Sequence, residues 1–208
     1  KLSKFAQKYI LMQKNLITKL LSLLFLIQFS FTFHTNNVKV NKKSSTVIWT
    51  GSKPTGSHTG NINLKSGHLT FDHGKVVGGN FILDMNSITC SDIESEKKNQ
   101  YLVDHLKAED FFDVESFDEA SLSIISIQVV KNNQYQIIAN MTIKGITNPV
   151  SFTADINVNG NSFSAIAKII IDRTKWGVEY KSGNIFKDLG DKIIYDDIEF
   201  DIFLVSEK

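Results

Sequence analysis

Cysteine and proline are both scarce in this sequence, with one cysteine and two prolines among 208 residues. A single cysteine excludes an intramolecular disulfide framework and a multi-cysteine metal site. We therefore expect Cys90 to be a half-buried or surface residue rather than a redox centre. Charge of one sign is not in excess either, because the net charge is +1 and no block of like charges occurs. This balance gives no support for nucleic acid or an anionic membrane surface as a partner.

What the sequence does contain is a repeated alternation of apolar and polar residues, most regular between residues 134 and 172. Because successive side chains of a strand point to opposite faces, each such run predicts a strand with one face in water. The apolar face carries small side chains near mid-strand, among them Ala139, Ala154, Ala165 and Ala167. A closed sheet with small inward residues has space inside it, which favours a ligand-binding barrel over a solid sandwich.

The alternation predicts one all-β antiparallel domain with about eight main strands and one short helix. Gly67 is predicted as a turn residue, and the Gly78-Gly79 pair as a bulge that bends a strand. Short links such as Asn132-Asn133 require antiparallel neighbours. The predicted strands cover residues 46–51, 58–65, 68–72, 75–88, 119–131, 134–144, 147–158, 162–172 and 196–205.

The single helix is predicted over residues 93–107, with Asp92 or Ser95 as its N-cap. Spacing at helical period places four residues on one face. These are Tyr101, Leu102, His105 and Leu106.

The N-terminal part of the chain is predicted to be a secretory signal peptide covering residues 1–33, with the true start at Met12. Lys14 and Lys19 precede an apolar run that extends to Phe33. An uncleaved membrane anchor is the alternative, although the uncharged run from Leu20 is shorter than the roughly 20 residues of a spanning helix. We expect residues 34–208 to form one domain, periplasmic or secreted, without a stable membrane span.

Six segments, taken in their order along the chain, form a recognisable series. They are WTGSK at 49–53, GSHTG at 56–60, GNFILDMNSI at 79–88, LVDHLKAEDFFDV at 102–114, MTIKGIT at 141–147 and DRTKWGV at 172–178. Together they resemble the YceI family of polyisoprenoid-binding, lipocalin-like domains. The resemblance covers nearly all of residues 45–205 and implies an exported lipocalin-like barrel whose long apolar cavity holds a polyisoprenoid or another amphiphilic lipid chain.

A set of large apolar and small side chains is the predicted lining of this cavity. An ordinary packed core is the alternative, and the mid-strand alanines together with the resemblance favour the lining. His105 is predicted either to contact the ligand's head group or to hold the helix against the barrel. The predicted lining residues are Phe81, Leu83, Met85, Phe111, Phe112, Phe117, Ala139, Met141, Phe152, Ala154, Phe163, Ala165, Ala167 and Trp176.

No motif for metal binding or catalysis is found. The spacing of His58, His68 and His73 with Asp72 fits no established ligand pattern, so we expect solvated turn residues. An acidic loop, also expected to be solvated, lacks the regular ligand spacing of a calcium site. It contains Asp188, Asp191, Asp196 and Asp197.

Asp172-Arg173 is interpreted as an ion pair at the barrel mouth, because no nucleophile elbow, zinc-protease motif or phosphate-binding loop is present. The prediction is an exported protein that carries or stores a polyisoprenoid, quinone-like or fatty-acyl chain without chemistry and without a cofactor or metal. Two alternatives stay open: an enzyme that acts on such a lipid through His105 and Asp104, and a solid barrel that binds a protein partner through its loops. A homodimer is also left open.

Overall fold

The structure, a computed structural model, describes residues 4–6, 8–9, 12–14 and 35–207. The chain separates into two units, Lys1–His34 and Thr35–Lys208. In the first unit the described residues are helical, and the apolar run of the predicted signal peptide lies outside the described residues. Over the described part of the chain, no helix is both long enough and apolar enough to cross a membrane.

The second unit is built on a ten-stranded antiparallel sheet with the order β1-β4-β5-β6-β7-β8-β9-β10-β2-β3. Strands that follow one another in sequence from β4 to β10 are neighbours in the sheet, although long segments, residues 85–118 and 173–196, join β5 to β6 and β9 to β10. The strands are β1 (Thr35–Lys39), β2 (Thr46–Lys53), β3 (Gly56–Asn61), β4 (Asn63–Asp72), β5 (Lys75–Asp84), β6 (Glu119–Lys131), β7 (Gln134–Ile143), β8 (Ile146–Asn159), β9 (Ser162–Asp172) and β10 (Asp197–Val205).

The sheet curls until its two ends meet. The N–H of Ile62, between β3 and β4, donates to the carbonyl of Val47 in β2 at 3.0 Å. Val40, just after β1, forms a bridge with Ser206 at the end of β10 and donates its N–H to Gly67 of β4 at 2.9 Å. Eight strands, β4 to β10 and β2, therefore form the wall of a barrel, with β1 and β3 at its seam. The predicted lipocalin-like antiparallel barrel is confirmed.

Two local predictions about the strands were wrong. Residues 35–39 form strand β1, which pairs with β4 from Thr35↔Asp72 to Lys39↔His68; the polar sequence hid it, because an edge strand buries only Val38. Gly67 lies inside β4 rather than in a turn. The bulge predicted near Gly78-Gly79 is present, since the pairing between β4 and β5 shifts between Thr70↔Gly78 and Phe71↔Val76.

The helix α1 (Glu96–Lys107) begins three residues later than predicted. The side chain of Asn99 donates to the carbonyls of Cys90 and Ile93 at 2.8 and 3.1 Å, which holds the preceding segment out of the helix. The predicted face was wrong for Tyr101, which is 77% exposed. Val103 and Leu106 are the residues that the helix buries.

After α1 the chain folds back on the helix and places two phenylalanines in the core. The N–H of Phe112 donates to the carbonyl of Leu106 at 3.2 Å, and that of Val114 to Lys107 at 2.9 Å. Phe111 and Phe112 are both buried, and their rings meet edge to face with centroids 5.0 Å apart.

Candidate functional site: an apolar cavity inside the barrel

The barrel contains an apolar cavity of about 110 Å³. Ser121 is the only polar residue among the 23 that line it. The others are Val47, Ile62, Leu64, Leu69, Phe81, Leu83, Met85, Phe112, Ala120, Leu122, Ile124, Ile137, Met141, Ile143, Phe152, Ala154, Ile156, Ala165, Ala167, Phe200, Ile202 and Leu204.

Short side chains on two neighbouring strands help to create this space. Ala154 of β8 pairs with Ala167 of β9, and Ile156 pairs with Ala165. Directly paired residues in a sheet point to the same side. The three alanines therefore form one patch of short side chains on the cavity wall. Each lacks the branched carbons that would fill the centre of a solid barrel.

Nine of the 14 residues predicted to line the cavity lie on its wall. They come from strands β5, β7, β8 and β9 and from the turns after β5 and α1. The nine are Phe81, Leu83, Met85, Phe112, Met141, Phe152, Ala154, Ala165 and Ala167.

Three of the other predicted aromatic residues are buried away from this cavity. Phe163 packs on Phe71, with ring centroids 6.2 Å apart. Trp176 is 2% exposed and donates its indole N–H to the carbonyl of Met141 at 3.1 Å. Phe111 lines a second cavity. All three are buried, but none lines the main cavity.

Phe117 and Ala139 are also absent from the wall of the main cavity. The Phe117 ring covers Gly145, where an added Cβ would lie 2.7 Å from Phe117 Cε1. Ala139 is completely buried within β7. Both act in packing the shell of the barrel.

A second cavity, of about 40 Å³, adjoins the first. Ile62, Phe112 and Phe200 line both. Phe112 therefore stands between the two spaces, held there by the backbone of the segment after α1. The second cavity contains Arg173 on its wall and is the less apolar of the two.

His105 lies on the wall of neither cavity. Its ring packs against Tyr180 and Phe111, with centroids 4.5 and 5.7 Å apart. Nδ1 is 3.6 Å from a carboxylate oxygen of Asp110, and Nε2 is buried without a hydrogen-bond partner. These contacts fit the structural role predicted for His105, in which it holds the helix against the barrel.

The buried cation of the barrel end is Arg173, and its partner is Asp196 rather than the predicted Asp172. Arg173 Nη2 is 3.2 Å from Asp196 Oδ1, whereas the Asp172 carboxylate accepts from the N–H of Thr174. Burial lowers the pKa of Arg173, and the charge of Asp196 opposes that shift. The prediction of a solvated acidic loop was wrong for Asp196, whose side chain is 11% exposed.

The three histidines considered for a metal do not come together in the structure. His73 contacts only its neighbour Asp72, at 2.6 Å. His58 Nδ1 instead donates to the Asp92 carboxylate at 2.9 Å, and Asp92 also accepts from the thiol of Cys90 at 3.2 Å. Cys90 is buried, whereas the sequence predicted a half-buried or surface residue.

Burial acts to raise the pKa of the Asp92 carboxyl, but its hydrogen bonds lower the pKa to about 2. The donors are the backbone N–H of Thr59, the His58 ring and the Cys90 thiol. Burial and the bond to Asp92 raise the pKa of Cys90.

Sequence reasoning missed the aliphatic half of the wall. Leu64 and Leu69 of β4, Leu122 and Ile124 of β6, and Ile202 of β10 all line the cavity. Their signal was present in the alternation, which places them on the inner face. Position along the strand, rather than side-chain type, decides which inner residues line the cavity.

Comparison with known proteins places the fold and the family. The model of the YceI-like domain matches residues 38–205. BcnA of Burkholderia cenocepacia is similar in structure with a TM-score of 0.65 and 20% identity, over 81% of this chain and 99% of that chain. A polyisoprenoid binding domain from Saccharophagus degradans gives 0.61 and 13%, over 81% and 97%. The Campylobacter jejuni YCEI protein gives 0.51 and 17%, over 83% and 86%.

Curated relatives match a shorter part of the sequence. A UPF0312 protein of Yersinia enterocolitica is 29% identical over 105 residues, which is 49% of this chain and 50% of that protein. UPF0312 proteins of Yersinia pestis are 30% identical over the same length. The match therefore spans about half the length of these curated relatives.

Proposed function

The chain belongs to the family of YceI-like domains, and on that premise we propose that its barrel binds the hydrocarbon chain of a lipid without changing it chemically. The observation that carries the proposal is the cavity itself. It has a volume of about 110 Å³ and a wall with a single polar residue, Ser121. Apart from that hydroxyl, such a wall offers no side-chain donors or acceptors for a polar substrate, but it matches the surface of an alkyl or isoprenoid chain.

The binding energy would come from removing that chain from water. Each methylene group transferred to an apolar environment gains about 0.8 kcal/mol, so a long chain binds well without polar contacts. Affinity then rises with chain length until the cavity is full. A head group carrying charge would stay outside the cavity, because burying an unpaired charge costs several kcal/mol.

We take a polyisoprenoid as the first ligand to test, with quinone-like and fatty-acyl chains as the next two. The solved domain from Saccharophagus degradans is described as polyisoprenoid binding, and that description supports the order of testing. A head-group contact by His105 is not needed, since His105 lies on the wall of neither cavity.

We further propose that the protein works outside the cytoplasmic membrane, as a carrier or store in the periplasm or as a secreted protein. The basic and apolar sequence between Met12 and Phe33 supports this. A lipid chain that leaves the membrane needs a closed apolar compartment to cross water, and the barrel cavity is such a compartment.

Native mass spectrometry of the full chain, expressed with its N-terminal segment in a bacterial host, tests the binding proposal. We expect an adduct of lipid mass that organic solvent releases, and uptake of an added polyisoprenol by the stripped protein. Failure of the stripped, folded protein to take up polyisoprenol, ubiquinone or palmitate would refute lipid binding. That outcome would favour a barrel whose outer loops bind a protein partner.

A further inference from the structure

Three side chains with different metal-binding atoms converge outside the cavity, at the strand β3. They are His58, Cys90 and Asp92, and one ligand atom from each lies within 4.8 Å of those of the other two. His58 Nδ1 is 2.9 Å from Asp92 Oδ2, and Cys90 Sγ is 3.2 Å from Asp92 Oδ1. Within the described parts of the chain, this is the only such group of three.

The backbone holds this group in place. The segment that carries Cys90 runs beside β3, with the N–H of Thr89 donating to Asn61 at 3.0 Å and that of Ser91 to Thr59 at 2.9 Å. Asn99 of α1 donates to the carbonyl of Cys90 at 2.8 Å. The ligand atoms are thus fixed by a strand, a paired segment and a helix rather than by one mobile loop.

We propose that His58, Cys90 and Asp92 form a binding site for Zn²⁺. Imidazole nitrogen, thiolate sulfur and carboxylate oxygen are the three ligand types that zinc takes in proteins. With zinc bonds of about 2.0–2.3 Å, ligand atoms in a tetrahedron lie about 3.4–3.6 Å apart. The hydrogen-bonded pairs of this group need to open by only about 0.2–0.7 Å to reach that spacing.

The exposure of the three side chains suits an exchangeable ion. The side chains of His58 and Asp92 are 34% and 32% exposed, whereas Cys90 is buried. The ion enters from solvent and meets the thiol at the inner side. Three protein ligands leave a fourth position, which a water molecule fills, as in zinc sites that are open to a further ligand.

Two features allow zinc to take the place of the protons that now link His58 and Cys90 to Asp92. The contacts that His58 and Cys90 now make to the two oxygens of Asp92 are the ones that zinc would replace, and the three ligand atoms already lie within 4.8 Å of one another. Asp92 is ionised at neutral pH, since its hydrogen bonds hold the pKa at about 2. The site would therefore bring one negative charge from Asp92 and one from Cys90, whose thiol proton is released to solvent when the metal binds.

Cobalt and zinc binding to the full chain, stripped of metal with a chelator, tests the site. With Co²⁺ we expect a thiolate-to-metal charge-transfer band in the near ultraviolet, and Zn²⁺ should abolish it at one ion per chain. Cys90→Ser should remove the band. His58→Gln should weaken zinc binding by more than about tenfold, because even the loss of a hydrogen-bond partner of a metal ligand costs roughly 10–100-fold.

His73→Gln is the matched control, because His73 also contacts a carboxylate but has no thiol in its group. It should bind Co²⁺ and Zn²⁺ as the parent chain does. Circular dichroism checks that each variant is folded, and His58→Gln changes a surface residue, so the test does not rest on Cys90 alone. No charge-transfer band in the parent chain, or equal zinc affinity in the parent and His58→Gln, would overturn the proposal. Neither result depends on whether the barrel binds lipid.

Discussion

Ala154 of β8 lies directly opposite Ala167 of β9 on the inner face of the barrel. On the outer sides of this pair, Tyr135 of β7 is opposite Ala154 and Ile202 of β10 is opposite Ala167. The two alanines therefore project less far from the sheet than the larger side chains on either side. A solid barrel would be expected to fill this level with branched side chains, so the alanine pair ties the empty space to particular positions in the sequence.

Filling the space at the alanine pair should abolish ligand binding and leave the barrel folded. We expect Ala154→Leu and Ala167→Leu each to lose uptake of polyisoprenol while the free energy of unfolding changes by less than about 1 kcal/mol, because a dry cavity can accept the added carbons. Urea denaturation and native mass spectrometry measure the two effects. If the space were already filled, overpacking would cost about 1–3 kcal/mol instead. Ile166→Leu is the control, since Ile166 is 60% exposed on the outer face.

Removing the ring of Phe112 should join the two cavities. We expect Phe112→Ala to lower the free energy of unfolding by about 3 kcal/mol, at the lower end of the 3–5 kcal/mol typical of buried Phe→Ala changes, because Phe112 already borders empty space. The variant should also bind longer chains than the parent, as measured by competition among polyisoprenols of graded length. Phe111→Ala is the control, because Phe111 lines only the second cavity. Equal length preference in the two variants would show that Phe112 does not separate the spaces.

The sequence predicted which face of a strand a residue occupies better than it predicted the height of that residue in the barrel. Alternation assigned Ala165 and Phe163 to the same inner face, and both are buried. Only Ala165 meets the cavity, whereas Phe163 packs on Phe71. The height of a residue in a barrel depends on strand tilt and register, which are properties of the whole sheet.

The sequence did not predict strand β1 or the partner of Arg173, because neither leaves a local pattern. Val38 is the only buried residue of β1, so no alternation marks the strand. Arg173 and Asp196 are far apart in sequence, and the pair forms because the loop between them folds back on β9. Neither feature leaves a local pattern, whereas the hairpin strands β6 to β9 do.

Breaking the pair between Arg173 and Asp196 should destabilise the barrel strongly. Asp196 Oδ2 also accepts from Ser182 at 2.9 Å and from Asn184 at 2.7 Å. We expect Asp196→Asn to lower the free energy of unfolding by about 3 kcal/mol at neutral pH, because it removes the ion-pair partner of the buried guanidinium. Urea denaturation at low and high salt measures the loss, which salt should hardly change for a buried pair.

The exposed pair of Lys168 and Glu199 on the outer face is the comparison for that measurement. Glu199→Gln should leave the urea midpoint almost unchanged, since exposed ion pairs contribute little and are screened by water and salt. Equal effects of Asp196→Asn and Glu199→Gln would show that the Arg173 pair has no special place in the stability of the barrel.

A methyl group at Gly60 should displace the segment that carries Cys90. An added Cβ at Gly60 would overlap the carbonyl oxygen of Thr89 and lie 2.8 Å from Trp49 Nε1. We expect Gly60→Ala to lower the free energy of unfolding by about 3 kcal/mol or more, because backbone must move to relieve the overlap. It should also break the hydrogen bond of 3.0 Å that Trp49 Nε1 donates to Thr89.

The two indole N–H signals of the protein separate a local from a global effect of this change. NMR of a ¹⁵N-labelled sample should show the Trp49 signal shifted in Gly60→Ala, while the Trp176 signal stays in place because its acceptor, Met141, lies elsewhere in the barrel. Gly51→Ala is the matched control on the neighbouring strand β2, since its Cβ would meet only a ring carbon of Trp49 at an ordinary 3.9 Å. If Gly60→Ala matched Gly51→Ala in both stability and indole signals, the close approach of Gly60 to Thr89 would not exist in solution.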